Sequence, residues 1–320
     1  MEDPRSRDAR GSAMTVDTTT AKNAAVTNAT VTNANLTTGI DRLEIEANGL
    51  TFTARAAGPE GGRGVILLHG FPQTSWSWRA QLSALGDTGC RAVAPDQRGY
   101  SAGARPLRVA DYGLDHLVAD VLALADTMNM DRFDLVGHDL GGLVSWVAAA
   151  RHPERIRSLS VVSTPHPLAL RQALAGDASQ AGWSERMENF RRPEIPERLL
   201  LGADHSGTGL ATLCRASGLA EVHIRQYLAV LSRPGALTAA LNWYRAMEGV
   251  DLTDLPMVNV PTLYVWSTGD TSLGRRAAEA SSTFVTGAYR FVVLDGVSHW
   301  VPEAAPGDLS PLLVEHLAAS

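Results

Sequence analysis

The chain has 320 residues, 45% of them hydrophobic, which is enough to bury the core of one large α/β domain or of two small ones. Its formal net charge of -6 argues against a nucleic acid as partner and is ordinary for a soluble enzyme. No apolar run approaches the roughly 20 residues that a membrane span needs. The two cysteines, Cys90 and Cys214, are far apart in sequence, which disfavours a disulfide framework and fits a cytoplasmic protein.

Residues 1–40 differ in composition from the rest of the chain. The stretch 18–38 is rich in Thr, Asn and Ala and contains no aromatic residue, Gly or Pro. It has neither the apolar segment of a secretory signal nor the Arg-rich pattern of a transit peptide. We therefore predict a disordered N-terminal extension over 1–40 and a globular domain from residue 41.

Strand and helix patterns alternate between residues 41 and 165. The segments 43–47 and 50–54 predict a hairpin around the turn Asn48-Gly49. Further strands are predicted at 65–69, 91–94, 133–137 and 156–163, and helices at 115–128 and 140–151. This alternation predicts a mostly parallel sheet with helices on both faces.

The alternation stops after residue 165 and resumes near residue 256. The intervening residues, 166–255, have the pattern of helices and loops, with breaks at prolines and glycines such as Pro193 and Gly202. A strand at 262–267, a helix at 273–281, a strand at 289–294 and a helix from about 306 then follow. We interpret residues 166–255 as a helical cap, inserted after the sixth strand of a core formed by 41–165 and 256–320. Such lids exclude water and carry groups that face the substrate.

The segment Leu135-Val-Gly-His-Asp-Leu-Gly-Gly142 lies between a predicted strand and a predicted helix. It has the form of the nucleophile elbow G-x-S-x-G, but Asp139 stands in the place of the serine. A serine needs a base before it attacks, whereas an aspartate is ionised at neutral pH and attacks an sp³ carbon directly. The product is an ester on the enzyme, so the pattern favours opening of an epoxide or displacement of a halide over amide hydrolysis.

Two more candidate residues follow predicted strands at their carboxyl ends, where open α/β sheets build their sites. Asp270 follows the strand at 262–267, and His299 follows the strand at 289–294. The chain order is therefore nucleophile, acid and histidine. In this arrangement His299 is the candidate base that activates water, and Asp270 is the residue that orients it.

From about residue 43 to its C-terminus, the chain resembles the epoxide hydrolase and haloalkane dehalogenase branch of the α/β-hydrolase fold. The matching motifs are His69-Gly-Phe-Pro72, Asp96-Gln-Arg-Gly-Tyr-Ser101, Gly137-His-Asp-Leu-Gly-Gly142, Asn242-Trp-Tyr-Arg245 and Gly296-Val-Ser-His-Trp300. The resemblance implies an α/β-hydrolase fold with a cap and neither a metal nor a nucleotide cofactor. It also implies an oxyanion hole formed by the backbone N–H groups of Phe71 and Leu140, here for an oxygen of Asp139 itself.

Leu140 favours the epoxide hydrolases within this branch. Haloalkane dehalogenases have a Trp directly after the nucleophile, whose indole N–H holds the halide, and fluoroacetate-type dehalogenases have an Arg there. Leu140 has no side-chain donor, although groups of the cap could still hold a halide. The alternatives to an epoxide hydrolase are a dehalogenase that uses the same Asp139 chemistry and a non-catalytic ligand-binding protein on this fold.

Epoxide opening needs a proton donor for the leaving oxygen, and the epoxide hydrolases that this chain resembles use two tyrosines of the cap. Tyr244 matches the second of them, although packing between cap helices would also explain it. The first is missing, and its position falls near Arg186. We predict that Trp183 takes its place, donating from its indole N–H and binding the substrate together with Tyr244, or else is only a hydrophobic cap residue. His205 and His223 are further donors in the cap, but nothing in their spacing singles them out.

The sequence therefore predicts an enzyme that combines a small-molecule epoxide with water to give a vicinal diol. The expected intermediate is an ester on Asp139. The aromatic residues of the cap would suit a bulky or aromatic substrate, but they could equally form the core of the cap.

Overall fold

The computed structural model describes residues 20–21, 39–175 and 181–320, with side chains from 39 to 175 and from 185 onward. The predicted disordered extension, 1–40, therefore lies almost entirely outside the described residues. Only Thr20–Ala21 and residues 39–40 are described within it.

Nine strands form one sheet in the part of the chain that is described. They are β1 (Thr20–Ala21), β2 (Ile40–Ala47), β3 (Leu50–Ala57), β4 (Arg63–Leu68), β5 (Cys90–Pro95), β6 (Phe133–His138), β7 (Ile156–Val162), β8 (Thr262–Gly269) and β9 (Tyr289–Ser298). Their order across the sheet is β1-β9-β8-β7-β6-β4-β5-β3-β2. Strand β3 pairs antiparallel with β2 and with β5, and the remaining pairings are parallel. The predicted mostly parallel α/β architecture is confirmed.

Helices connect and cover these strands. In the described residues they are α1 (Arg79–Asp87), α2 (Leu114–Thr127), α3 (Leu140–Arg151), α4 (Pro167–Leu174), α5 (Ala181–Arg191), α6 (Ile195–Leu201), α7 (Thr208–Ala216), α8 (Glu221–Leu231), α9 (Ala236–Ala246), α10 (Arg275–Ala280), α11 (Val301–Ala304) and α12 (Pro306–Ala318). None of the described helices is long and apolar enough to cross a membrane.

Both faces of the sheet are buried, as β4 illustrates. Val65 and Leu67 belong to a hydrophobic cluster with side chains of α1 and α12, whereas Ile66 and Leu68 belong to a second cluster with side chains of α2 and α3. The pleat of a strand points successive side chains to opposite faces, so a strand covered on both sides needs a continuous apolar sequence. This explains why apolar and polar residues do not alternate along the central strands.

The predicted hairpin is present at the start of the described domain. Ala47 pairs with Leu50, and the two residues between them, Asn48 and Gly49, have φ angles of 50° and 73°. Positive φ at both central positions is the conformation of a type I′ turn, for which Asn-Gly is the favoured sequence.

Helices α4–α9 lie between β7 and β8 and are called the helical insertion below. Counted from Ile40, β7 is the sixth strand, so these helices follow the sixth strand of the sheet. The insertion packs on the loops that follow β4 and β5. On α9, Trp243 donates from Nε1 to the carbonyl of Arg98 at 2.8 Å, and the Tyr244 ring lies 5.5 Å from the ring of Phe71.

Candidate active site

Asp139 lies on the sharp turn between β6 and α3. Its backbone angles, φ of 50° and ψ of -123°, form a conformation that residues other than glycine rarely adopt, so the turn is strained. Glycines on both sides make the turn possible. A Cβ on Gly137 would lie 2.3 Å from Ser145 Oγ, and one on Gly141 would lie 2.3 Å from the carbonyl oxygen of Leu68. The close approach of strand and helix therefore projects the Asp139 carboxylate beyond the sheet.

The loop after β4 supplies a backbone donor to this carboxylate. Phe71 N–H donates to Asp139 Oδ1 at 2.9 Å. A Cβ on the preceding residue, Gly70, would lie 2.2 Å from Asp139 Cβ, so only glycine lets the loop come this near. The N–H that the sequence assigns to an oxyanion hole thus contacts an oxygen of Asp139 itself.

His299 and Asp270 complete a chain of contacts with Asp139. His299 Nδ1 donates to Asp270 Oδ2 at 2.7 Å, and His299 Nε2 lies 3.5 Å from Asp139 Oδ2. Asp270 Oδ1 accepts hydrogen bonds from the backbone N–H groups of Ser272, at 2.7 Å, and Leu273, at 3.0 Å. These bonds fix the carboxylate of Asp270, which in turn fixes the tautomer and orientation of the His299 ring.

The contact between Asp139 and His299 changes the pKa of both groups. Burial opposes ionisation of Asp139, but its hydrogen bond with His299, the charges of His299 and His138, and the backbone N–H of Leu140 together lower its pKa. Burial likewise opposes protonation of His299, but the charge of Asp270 and the contacts with Asp139 raise its pKa. Asp139 is therefore an anion at neutral pH, beside an imidazole that Asp270 and Asp139 together keep protonated.

Tyr244 faces Asp139 from α9 of the helical insertion. Its ring packs 5.5 Å from Phe71 and 5.1 Å from Phe190. Burial and the charge of Asp139 raise the pKa of Tyr244 well above its usual value, so the phenol keeps its proton. No group among the described residues accepts a hydrogen bond from this hydroxyl, which leaves it available to a ligand.

Two cavities meet at Asp139 and Tyr244. The large lobe has a volume of about 740 Å³ and a mostly apolar wall that includes Leu114, Leu140, Leu143, Leu168, Met187 and Leu252. The small lobe has a volume of about 220 Å³, and its wall includes Phe71, Arg186, Ser217, Ser272, His299 and Trp300. The walls of both lobes include Asp139, Met187, Tyr244 and Leu273, so a small molecule that extends from one lobe into the other contacts the region of Asp139 and Tyr244.

The other candidate donors that the sequence analysis names, Trp183, His205 and His223, are not placed by the structure in the walls of the two lobes. Trp183 belongs to α5, but its side chain lies outside the described residues, so its role stays a prediction. His205 is exposed between α6 and α7, and it lines neither lobe. His223 is buried on α8, where its Nε2 lies 3.5 Å from Arg79 Nη2, and it lines neither lobe.

A buried polar network behind the loop after β4 is not predicted by the sequence analysis. Gln73 Oε1 accepts the N–H of Gly70 at 2.9 Å and lies 2.8 Å from His138 Nδ1. Gln73 Nε2 donates to Glu303 Oε1 at 2.7 Å, and the hydroxyl of Tyr227 donates to the same oxygen at 2.5 Å. The network thus connects the loop that carries Phe71 to α11 and to α8 of the insertion. In the sequence, the only sign of it is a Gln and a Glu within otherwise apolar motifs.

Glu303 makes the stability of the fold depend on pH. Burial raises its pKa to about 7, although hydrogen bonds from Tyr227 and Gln73 oppose the rise. An unfolded glutamate titrates near a pH of about 4.3, so the folded state binds this proton more tightly than the unfolded state does. The stabilisation from that proton is complete below about pH 4.3 and is lost as the pH rises through about 7.

We expect the Glu303→Gln variant to escape this loss. Between about pH 5 and pH 8, its Tm should fall less than that of the wild type, because an amide carries no charge into the buried site. Thermal unfolding across this range measures the difference. Glu60→Gln, at an exposed position, is the control and should follow the wild type. Parallel curves for Glu303→Gln and the wild type would contradict the prediction.

The chain belongs to the α/β-hydrolase fold family, whose sequence pattern matches residues 64–306. It is 32% identical over 281 residues to the AB hydrolase superfamily protein YfhM of Bacillus subtilis, an alignment that covers 85% of this chain and 96% of that protein. It is 30% identical to epoxide hydrolase A of Mycobacterium tuberculosis, in an alignment that covers 85% of this chain and 96% of that protein. The crystal structure of epoxide hydrolase A from Mycobacterium thermoresistibile superposes with a TM-score of 0.75 at 27% identity, with 87% of this chain and 98% of that chain covered. The predicted fold and the resemblance to the epoxide hydrolase branch are confirmed.

Proposed function

We propose that this protein is an epoxide hydrolase that forms a vicinal diol through a covalent ester on Asp139. The observation that carries the proposal is the arrangement around Asp139. Its carboxylate lies at the elbow, 3.5 Å from His299 Nε2, and it lines both lobes together with the phenol of Tyr244. The similarity to proteins named epoxide hydrolases supports the reaction class.

In the first half of the reaction, an oxygen of Asp139 attacks an epoxide carbon. A new C–O bond forms, the ring C–O bond breaks, and its electron pair moves to the former epoxide oxygen. That oxygen becomes far more basic as the ring opens, so the Tyr244 hydroxyl donates its proton to it. The result is a hydroxyalkyl ester on Asp139, a tyrosinate at Tyr244 and an imidazolium at His299.

Formation of the ester also converts His299 into a base. In the free enzyme, the charge of Asp139 helps to raise the pKa of His299. The ester carries no charge, so the pKa of His299 falls once Asp139 has reacted, and its proton passes to the tyrosinate. Neutral His299 is then present only when the ester has to be hydrolysed.

In the second half, His299 takes a proton from water, and the hydroxide adds to the Asp139 carboxyl carbon. Asp270 stabilises the imidazolium that forms. The oxyanion develops on the former carboxyl oxygen, where the N–H groups of Phe71 and Leu140 can hold it. Phe71 N–H already lies 2.9 Å from Oδ1 in the free protein. Collapse of this intermediate breaks the bond between the carboxyl carbon and the substrate oxygen. The proton of the new carboxyl group then passes to the departing alkoxide, which gives the diol, the Asp139 anion and the His299 imidazolium.

We further propose that residues 166–255 act as the cap of this site. Tyr244 and Phe190 of the helical insertion contact Phe71 of the core, and the wall of the large lobe comes from both parts. A lid of this kind excludes bulk water, which strengthens the hydrogen bonds to the reacting oxygens.

A steady-state assay of diol formation from styrene oxide tests the proposal. The wild type should form diol, and Asp139→Ala should lower kcat by at least about 10³-fold, because no other group replaces the nucleophile. Asp87→Ala, at an exposed position of α1, is the control. Release of halide from haloalkanes, with no diol from any epoxide, would instead identify a dehalogenase. Stoichiometric binding without turnover would identify a ligand-binding protein.

A further inference from the structure

The two lobes that meet at Asp139 and Tyr244 differ in polarity. The wall of the large lobe is made mainly of leucines and methionines, and its charged side chains, which include Arg171, Glu185, Glu188 and Arg191, comprise both signs. The wall of the small lobe contains the polar side chains of Arg186, Ser217, Thr271 and Ser272. A ligand that fits both lobes is therefore amphiphilic, with an apolar group on one side of the reacting atoms and a polar group on the other.

Arg186 is the arginine in the wall of the small lobe. Its guanidinium is partly buried on α5, and Nη1 donates to Ser272 Oγ at 2.9 Å. Within the described residues, no carboxylate lies within ion-pair distance of Arg186, unlike the paired arginine Arg245 nearby, which has Glu197 at 2.8 Å. A guanidinium offers five N–H donors in a planar fork, and among the described residues the Ser272 hydroxyl is the one acceptor recorded for them.

The charges around the small lobe favour an anion beside Arg186. His299 and Asp139 line the same lobe, where their charges are opposite in sign and lie 3.5 Å apart as an ion pair. Asp270, the other acidic group of the site, is fully buried and already paired with His299. The charge of Arg186 also reaches the reacting groups, since it counteracts the rise in the pKa of Tyr244. Because the charges of Asp139 and His299 largely cancel, Arg186 leaves a net positive charge on this side of the cavity, which favours an anionic ligand.

We propose that Arg186 binds a carboxylate of the substrate, and that the preferred substrates are 2,3-epoxy carboxylates with an apolar group on C3. This inference rests on the proposed function. The carboxylate accepts two parallel hydrogen bonds from Arg186 in the small lobe, and the apolar group on C3 occupies the large lobe. The epoxide then lies between Asp139 and Tyr244. Water and the epoxy carboxylate give a 2,3-dihydroxy carboxylate, and the carboxylate itself does not react.

A matched pair of substrates tests the role of Arg186. In trans-3-phenylglycidate and trans-β-methylstyrene oxide, the same phenyl-substituted epoxide carries a carboxylate or a methyl group. Arg186→Met, which keeps the length of the side chain and removes its charge, should lower kcat/KM for the glycidate by about 10- to 100-fold, mainly through KM. The value for the methyl compound should change less than about threefold, and Arg186→Lys should recover part of the loss. Arg192→Met, at an exposed position, controls for a general effect of charge.

Equal losses for the two substrates, or no loss for either, would overturn the proposal. Calorimetric binding of 3-phenylpropanoate and of 3-phenylpropanol separates this inference from the proposed function, because neither compound can be turned over. The wild type should bind the acid more tightly than the alcohol, and Arg186→Met should remove the difference. A wild type that shows this preference but forms no diol refutes the function and keeps the carboxylate site. A wild type that forms diol but binds both compounds equally refutes the carboxylate site.

Discussion

The His299→Gln variant is expected to accumulate the covalent ester on Asp139. Attack by Asp139 does not require His299 as a base, whereas hydrolysis of the ester does. With excess of a reactive aryl epoxide, the intact mass of the variant should therefore increase by the mass of one substrate molecule. The wild type hydrolyses the ester and should show little or no adduct. Intact-protein mass spectrometry, followed by peptide mapping to Asp139, measures the result.

Two further variants make this result specific. His116→Gln changes an exposed histidine on α2 and should behave as the wild type does. The double variant Asp139→Ala/His299→Gln should acquire no adduct, because the nucleophile is gone. If His299→Gln never accumulates an adduct with an epoxide that the wild type hydrolyses, the two-step mechanism is wrong.

Tyr244→Phe is expected to slow formation of the ester by about 10²- to 10⁴-fold, the range for loss of a general acid. Substrate binding should change little, because the phenyl ring of the variant can keep the contacts that the Tyr244 ring makes with Phe71 and Phe190. Single-turnover rates measured over a series of excess enzyme concentrations separate the two quantities. The limiting rate reports ester formation, and the half-saturating concentration reports binding.

Tyr289→Phe is the matched control for Tyr244→Phe. The hydroxyl of Tyr289 is also buried, it has no hydrogen-bond partner among the described residues, and it lines neither lobe. Its loss should leave the limiting rate unchanged. A wild-type limiting rate in Tyr244→Phe would exclude Tyr244 as the proton donor.

The central sheet, and the cluster of Asp139, Asp270 and His299 at the carboxyl ends of its strands, follow from local patterns in the sequence. The glycines around Asp139 are needed because strand, turn and helix approach each other closely, so they identify the elbow from sequence alone. Asp270 and His299 follow strands that lie side by side in the sheet, which brings distant parts of the chain to one edge. Asp270 and His299 lie within hydrogen-bond distance because the parallel sheet, which the alternating pattern predicts, places the ends of their strands together.

The buried network and the lobes depend on contacts that leave no local pattern. Gln73 and Glu303 are 230 positions apart, and neither neighbourhood indicates that the other supplies its partner. The walls of the lobes are set by how α4–α9 pack on the core, and these helices are short and joined by irregular loops. The sequence therefore places Arg186 only at the position of a missing tyrosine. Its guanidinium beside Ser272 becomes visible only in the folded chain.

A single-turnover reaction in heavy-oxygen water tests the ester on Asp139 most directly. Excess enzyme is mixed with a reactive aryl epoxide, and both the diol and the peptide containing Asp139 are analysed by mass spectrometry. In the proposed mechanism, the oxygen added to the substrate in the first turnover comes from the Asp139 carboxylate, and water replaces it on the enzyme. The first diol should therefore be unlabelled, and the heavy oxygen should appear in the Asp139 peptide. A first diol that carries heavy oxygen, with no label in that peptide, would show that water attacks the epoxide directly and that Asp139 is not the nucleophile.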